Sequence, residues 1–315
     1  MEEGKLRLSL ISPATRQFVR AAWQVHDHSL RAVLHSYVYA RWPYLYIGIG
    51  TGEHMLAHIL GPPIRLVSRL FPAPPRPDRE SGTFADGYHG KVVPLAAASQ
   101  LVTVEEDVTL TELEQAIPYT LARDIVLRNP DHIVALECPC RAARANPCQP
   151  VDVCLIIGEP FASFVAEHHP RRSRWISQEE AVEILRAEHD RGHVHHAFFK
   201  DAMLGRFYAI CNCCSCCCGA VQAWSNGTPM LISSGYVAQV NEALCAGCKT
   251  CVGYCQFEAI STNNGHAAIG SDTCMGCGVC ASKCPEQAIS LLRDPSRGEP
   301  LEIRELIARA AATPL

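Results

Sequence analysis

The chain has 315 residues, 48% of them apolar, and a net charge of −4. That length predicts two domains or slightly more, with apolar residues enough for a real core. The mildly acidic balance argues against a nucleic-acid partner, because phosphate binding needs a basic face.

Eighteen cysteines would suit a secreted disulfide-stapled module, but the chain is far larger than such modules. Met1-Glu-Glu-Gly-Lys5 is acidic and has no apolar core of the signal-peptide kind, so a reducing cytoplasm is expected, in an anaerobe or a low-oxygen niche. No run of 18 apolar residues occurs. The most apolar stretch, Tyr44–Gly50, is bracketed by Arg41 and Glu53 and is too short to span a bilayer.

In chain order, residues 14–41 read as one helix, with Phe18, Ala22, Leu30, Val33, Tyr37 and Val38 near one stripe. Pro43 breaks it. Tyr44–Ile47 then reads as a short strand running into Gly48, Gly50 and Gly52. Those glycines give G-x-G-x-G rather than a dinucleotide fingerprint, and no Walker lysine follows, so a close-packed turn is the simpler reading. A helix is expected over Glu53–Leu60, stopped by Gly61-Pro62-Pro63. Residues 72–90, rich in proline, glycine and charge, read as a linker or long surface loop.

After a mostly apolar stretch from Val92 to Val104, residues 109–129 read as helical, with Leu113, Ile117, Leu121, Ile125 and Val126 as the apolar stripe and a bend at Pro118. Asp131–Leu136 is a strand leading to Cys138. Ser177-Gln-Glu-Glu180 is a capping box opening a helix that Gly192 ends. Val194–Phe198 and Arg206–Ile210 read as two strands around a turn at Gly205, and helix plus strand pair resembles a winged-helix element in shape alone. Pro300–Ala312 is a short amphipathic helix. The expected division is an N-terminal α/β region (1–71), the linker (72–90), a cysteine-rich α+β domain (91–234), a small domain (235–293) and a helical tail (294–315). The fold class is α+β.

Two cysteine sets carry the chemistry. Upstream, Cys138, Cys140, Cys148 and Cys154 are enough for one four-thiolate site. Cys211, Cys213, Cys214, Cys216, Cys217 and Cys218 then occupy six of eight positions. Strand alternation would send Cys211 and Cys213 one way and Cys214, Cys216 and Cys218 the other. Packing does not demand such a run, and adjacent reduced thiols oxidise unless a metal holds them. Ligand softness and number favour one or more further iron–sulfur centres, with structural zinc or a metal-free thiol relay as alternatives. Arg141 and Arg144 would partly balance a thiolate-rich centre.

Histidine groups at 26/28, 54/58 and 189–196 have no metalloprotease spacing and read as ordinary polar histidines. Those at 193–196 lie closest in sequence to the cysteine run. No nucleophile elbow appears, and no His/Asp constellation accompanies Cys140 or Cys211.

Downstream, C-x2-C-x2-C-x3-C is written twice, as Cys245, Cys248, Cys251, Cys255 and as Cys274, Cys277, Cys280, Cys284, the second followed by Pro285. The copies are offset by 29 residues, as are Ala259-Ile260-Ser261 and Ala288-Ile289-Ser290, which marks one duplicated supersecondary unit. This spacing wraps a 4Fe–4S cube with three thiolates and sends the fourth to the other cube; zinc prefers paired knuckles with a longer spacer. Asn263-Asn264-Gly265 is a hairpin signal between the halves.

Residues 235–293 resemble the bacterial dicluster ferredoxins. The resemblance implies that Cys245, Cys248, Cys251 and Cys284 hold one 4Fe–4S cluster and Cys274, Cys277, Cys280 and Cys255 the other. Gln256 stands where the family often has proline, which restores an amide donor without removing a ligand. Over roughly 130–293, Cys-Pro-Cys-Arg followed by Cys-Asn-Cys-Cys-x-Cys-Cys-Cys is similar to cysteine-rich iron–sulfur proteins of anaerobic bacteria. The function implied is electron transfer to or from a redox partner protein or an oxidoreductase subunit. A reductase active site in the upstream cysteines, fed by the ferredoxin part, is the alternative, and a cluster-dependent regulator is a third class.

Overall fold

The computed structural model describes residues 11–57, 84–119 and 121–312. Helices α1 (Pro13–Val25), α2 (Leu30–Arg41) and α3 (Pro43–Gly50) come first, followed by β1 (Tyr88–Val93) and α4 (Leu95–Val102). Next are β2 (Val108–Leu110), β3 (Ile125–Leu127), β4 (Ile133–Leu136), α5 (Pro139–Ala142), β5 (Cys154–Ile157), α6 (Phe161–His168), β6 (Ser173–Ile176) and α7 (Gln178–Asp190). Strands β7 (Val194–Lys200) and β8 (Arg206–Cys213), helix α8 (Gly219–Ser225) and β9 (Leu231–Ile232) complete the larger part. The C-terminal part has β10 (Tyr236–Val240), α9 (Thr250–Tyr254), β11 (Ile260–Asn263), β12 (His266–Ile269), α10 (Val279–Ser282), β13 (Ile289–Arg293) and α11 (Ile303–Ala312).

The larger part is built on a seven-stranded sheet in the order β6-β4-β5-β8-β7-β1-β9. Its pairings are antiparallel except β1 with β9. Central strands such as Ile133-Val-Ala-Leu136 and Cys154-Leu-Ile-Ile157 are buried along their whole length. Alternation along them sends successive residues to two cores. Val134, Leu136, Cys154, Ile156 and Cys213 join Phe18 and Phe161 on one face. Ile133, Ala135, Leu155 and Ile157 join Leu101 and Leu185 on the other. This two-faced burial places the strand cysteines on the side covered by the N-terminal helices.

Local signals account for several elements. Ser177 accepts a hydrogen bond from the Glu180 amide at the start of α7, and Gly192, at φ +85°, follows its end, as a left-handed C-terminal stop does. β7 and β8 form the expected hairpin with Gly205 at its turn. The hairpin lies in the middle of the sheet, with β1 and β5 as outer neighbours, whereas a wing would stand free. The described segments contain mixed helices and strands of the α+β kind, and no described helix is long and apolar enough to cross a membrane.

Three expectations are corrected. Residues 14–41 form two helices, because Asp27 and His28 take positive φ and Ser29 caps the second helix. Tyr44–Ile47 is helical rather than extended, since Pro43 stands in the first turn of α3, where its missing N–H costs nothing. Residues 109–129 are not a helix. β2 pairs antiparallel with β3, Glu112 takes φ +59°, and the Asn129 amide donates to Asp107 Oδ1 at 2.9 Å. Leu113, Ile117 and Ile125 are nevertheless buried. Most of the 72–90 segment and the end of the helix expected over Glu53–Leu60, including His58, lie outside the described residues. The end of that segment enters β1 at Tyr88.

Burial holds three histidines neutral. It lowers His89 to about 4, His195 to about 4 and His196 to about 3. Because their unfolded values are near 6.5, the unfolded chain binds more protons below that pH, and stability falls as pH drops from about 6.5 toward 4. Each group contributes up to about 1.4 kcal/mol per pH unit in that window. His89 stacks on Phe199 away from the cysteines, so His89→Phe is expected to remove about one proton from the acid slope of unfolding free energy. Denaturant titrations from pH 7 to pH 5 measure it; equal slopes for both proteins would exclude this origin.

Candidate metal centres

The C-terminal repeat is symmetric in its backbone. β10 pairs with β13 and β11 with β12, and the register Ala238↔Leu291 maps onto Ala267↔Thr262 under the 29-residue offset. The halves therefore exchange strands about a pseudo-twofold axis. Gly247 and Gly276 occupy equivalent places at φ +65°. A Cβ on Gly247 would collide with the Gly265 carbonyl oxygen, and one on Gly276 with the Tyr236 carbonyl oxygen and Ser234 Oγ. The hairpin between the halves turns at Asn264 and Gly265, both at positive φ, as the Asn-Gly signal requires.

Two cavities in this repeat are lined by cysteines. Cys245, Cys248, Cys251 and Cys284 line one, beside Gly247, Pro285 and Ile289. Cys255, Cys274, Cys277 and Cys280 line the other, beside Tyr254, Phe257 and Met275. Each holds three thiols from one motif and the last thiol of the other. Backbone amides point at sulfur in equivalent pairs: Ala259 to Cys255 at 3.2 Å with Ala288 to Cys284 at 3.3 Å, and Ala267 to Cys245 and Ala238 to Cys274, both at 3.5 Å. Amides in this position stabilise thiolate charge. Burial pushes the Cys277 thiol up to about 12, so a metal must displace its proton for that sulfur to carry charge at neutral pH. Donor type, number and enclosure fit an iron–sulfur cube in each cavity.

The ten upstream cysteines are brought together, but not as their spacing suggested. Cys148 is separated from Cys138, Cys140 and Cys154 and lies with Cys214, Cys216 and Cys217. The other six form a chain of sulfur contacts around one cavity. Cys211 Sγ lies 3.8 Å from Cys154 Sγ and Cys218 Sγ 3.2 Å from Cys213 Sγ, and the free thiols of Cys138 and Cys140 neighbour Cys154 and Cys218 between them. β8 supplies Cys211 and Cys213 on one face as alternation predicts. The strand ends at Cys213 and Cys214–Cys218 follow in a turn, so the alternation expected for the later cysteines does not hold. The Cys140 hydrogen bond pushes the Cys138 thiol up to about 12, with burial adding to it.

This cavity measures about 80 Å3 and extends from the thiols to Tyr39, Tyr88, Phe198, Met203 and Tyr208. Arg141 reaches its wall and is 1% exposed. Its Nη2 donates to Glu188 Oε2 at 2.5 Å and to the Asn212 carbonyl at 3.1 Å, and His193 Nδ1 bonds to the same carboxylate at 2.7 Å. The sequence flagged Arg141 as a charge balance, and its buried partner Glu188 had no local signal. His195 Nδ1 donates to Asn212 Oδ1. His196, across from Cys211 in the β7–β8 register, has no hydrogen-bond partner on either ring nitrogen among the described residues. His26 bonds to Ser36, and the ring of His54 to the Leu56 amide.

Gln256 links the two cysteine regions. Its Oε1 accepts from the Ser215 amide at 2.8 Å and Ser215 Oγ at 3.0 Å, while its Nε2 donates to the Gly192 carbonyl at 3.0 Å. The neighbouring Phe257 ring packs edge-on against Trp224 and His196. A proline at 256 could make none of the polar contacts, so this departure from the repeat is the residue that ties the small part to the turn between Cys214 and Cys216.

A paired-strand repeat around two four-cysteine cavities defines an iron–sulfur carrier module. Residues 238–291 match the family model described as a 4Fe-4S dicluster domain, and the C-terminal part of this chain is a dicluster ferredoxin-type domain. No curated protein matches the chain.

Gly276→Ala is expected to destabilise this domain, by about 1–3 kcal/mol from the left-handed backbone alone and further from the collision. Gly253, with nothing near its absent Cβ, provides the control. Iron content and thermal unfolding of the two alanine variants test this; equal iron retention would show that close backbone approach at 276 is not needed.

Proposed function

We propose that the chain is a one-electron carrier. Cys245, Cys248, Cys251 and Cys284 hold one 4Fe–4S cluster, Cys255, Cys274, Cys277 and Cys280 hold the second, and electrons pass to or from a further centre in the six-cysteine cavity. The observation that carries this reading is the lining of the two C-terminal cavities by crossed thiol quartets. When bound, such clusters supply reversible one-electron chemistry over a wide span of potentials. The chain positions them unequally. Cys248 is exposed, whereas Cys274 and Cys280 are buried, so the first cavity faces a redox partner and the second faces the interior.

Cys255 belongs to the inner quartet, and the Gln256 and Phe257 that follow it touch the upstream region. This favours transfer toward that region rather than between two surface sites. The net charge of −4 suits docking onto a basic patch of a partner protein. A cytoplasmic, low-oxygen setting suits eighteen reduced thiols.

A second reading has its own support. The apolar and tyrosine-lined extension of the six-cysteine cavity gives a small substrate room beside the thiols, as a reductase centre requires.

Anaerobic purification, iron and sulfide determination and EPR after reduction test the proposal. About eight irons are expected from the C-terminal domain, with more from the upstream cysteines. Cys277→Ala is expected to remove one cubane signal and leave the upstream centre intact. Colourless protein, or zinc in place of iron, would falsify the carrier reading. Cyanide separates the two readings: an upstream signal that it leaves unchanged fits a carrier with every iron capped by cysteine, and one that shifts fits the reductase.

A further inference from the structure

The four upstream cysteines outside the six-sulfur chain form a site of a different kind. We infer that Cys148, Cys214, Cys216 and Cys217 bind a single tetrahedral divalent ion, zinc or iron, separate from any polynuclear centre. Sulfur–sulfur spacing distinguishes one ion from a cluster. Four thiolates on one ion at metal–sulfur distances of about 2.3 Å stand about 3.8 Å apart. Here Cys148 Sγ lies 3.1 Å from Cys216 Sγ and 3.7 Å from Cys214 Sγ. Cys216 Sγ lies 3.3 Å from Cys214 Sγ and 3.7 Å from Cys217 Sγ. All four sulfurs fall within 4.8 Å of one another. A four-iron cube spreads its thiolates farther, because each caps a different iron. No other group of three or more His, Cys, Asp or Glu among the described residues meets the same limit, the two ferredoxin quartets included.

The surroundings orient the two segments that supply the sulfurs. Arg144 donates to the Cys217 carbonyl at 3.2 Å and to Gln222 Oε1 at 2.6 Å. Gln222 Nε2 in turn donates to the Cys216 carbonyl at 3.1 Å, and Gln256 holds Ser215 from the opposite side. Backbone and side chains thus shape the turn while leaving all four sulfurs free for metal. One divalent ion with four thiolates carries a net −2 charge. Arg144, on the Cys217 carbonyl, and Arg141, near Cys214, offset part of it, although each also pairs with a carboxylate, Glu53 and Glu188. Since Cys214 and Cys217 also reach the wall of the six-thiol cavity, the ion staples Cys148 to the turn that closes that cavity.

Such an ion is independent of electron carriage by the ferredoxin domain. Metal and acid-labile sulfide are measured on the full-length protein purified without air, as wild type, Cys148→Ser and Cys148→His. Wild type is expected to hold one metal ion beyond those that sulfide accounts for. Cys148→Ser is expected to lose one equivalent of zinc or iron and no sulfide, with both ferredoxin EPR signals unchanged. Cys148→His keeps a fourth donor and is expected to retain the ion. Cobalt exchange is expected to give the absorption of tetrahedral cobalt thiolate, shifted in Cys148→His. Loss of several irons together with sulfide in Cys148→Ser would place Cys148 in a polynuclear cluster and overturn the inference, as would unchanged metal content. Zinc and iron are both supporting outcomes.

Discussion

Sulfur crowding is the constraint on which the rest of the structure depends. Thiols are weak hydrogen-bond donors and acceptors, so a chain of contacts such as Cys211–Cys154–Cys138–Cys140–Cys218–Cys213 contributes little stability by itself. Nor do the thiols ionise readily side by side, since each thiolate would face its neighbours. A divalent ion or a cluster at these thiols would resolve both problems at once, by replacing protons and bonding to the sulfurs directly. The scaffold holds these sulfurs converged. The central sheet does so from β5 and β8, and the turn after β8 does so with the help of Arg144, Gln222 and Gln256.

The same sheet fixes where the ferredoxin domain sits. Gly192 closes α7 in the left-handed conformation, and a Cβ there would press into the Tyr254 ring. Lys283 reaches Asp190 at 3.3 Å across the same corner, an exposed pair that adds registry more than energy. Phe257 enters the core beside Trp224 and His196. Polar clamp, apolar plug and close backbone approach converge on the inner cysteine quartet rather than on the exposed one. The two halves of the repeat share a backbone and differ in what surrounds it, and solvent exposure is among the quantities that set cluster potential.

Legibility followed the range of the interactions involved. The Asn-Asn-Gly hairpin and the Ser177 cap are each complete within a few residues, and the cysteine motif is legible because its spacing is written twice at a fixed offset. Residues 109–129 misled because Leu113, Ile117 and Ile125 are buried at helical intervals while a strand pair and a left-handed Glu112 set the backbone. α3 misled because Tyr and Ile favour strands in isolation, whereas the Pro43 start and packing against α2 and α5 decide for helix. The partner of Cys148 was not readable at all. Its distance in sequence from Cys138 is short, but the loop that carries it folds against a turn about 66 residues later, and nothing local encodes that approach.

Gln256 shows how a small departure from a repeat acquires meaning only in three dimensions. By sequence it restores an amide to one half of a duplicated motif. In the fold its side chain spans Gly192 and Ser215 and so joins the segment after an inner-quartet cysteine to the turn that carries three further thiols. The equivalent residue of the other half, Pro285, lines the outer cavity, where the pseudo-twofold axis places no such turn. A symmetric carrier has no preferred inner end. This asymmetry supplies one, and it does so with a neutral side chain that brings two cysteine-rich regions into register without adding charge to either.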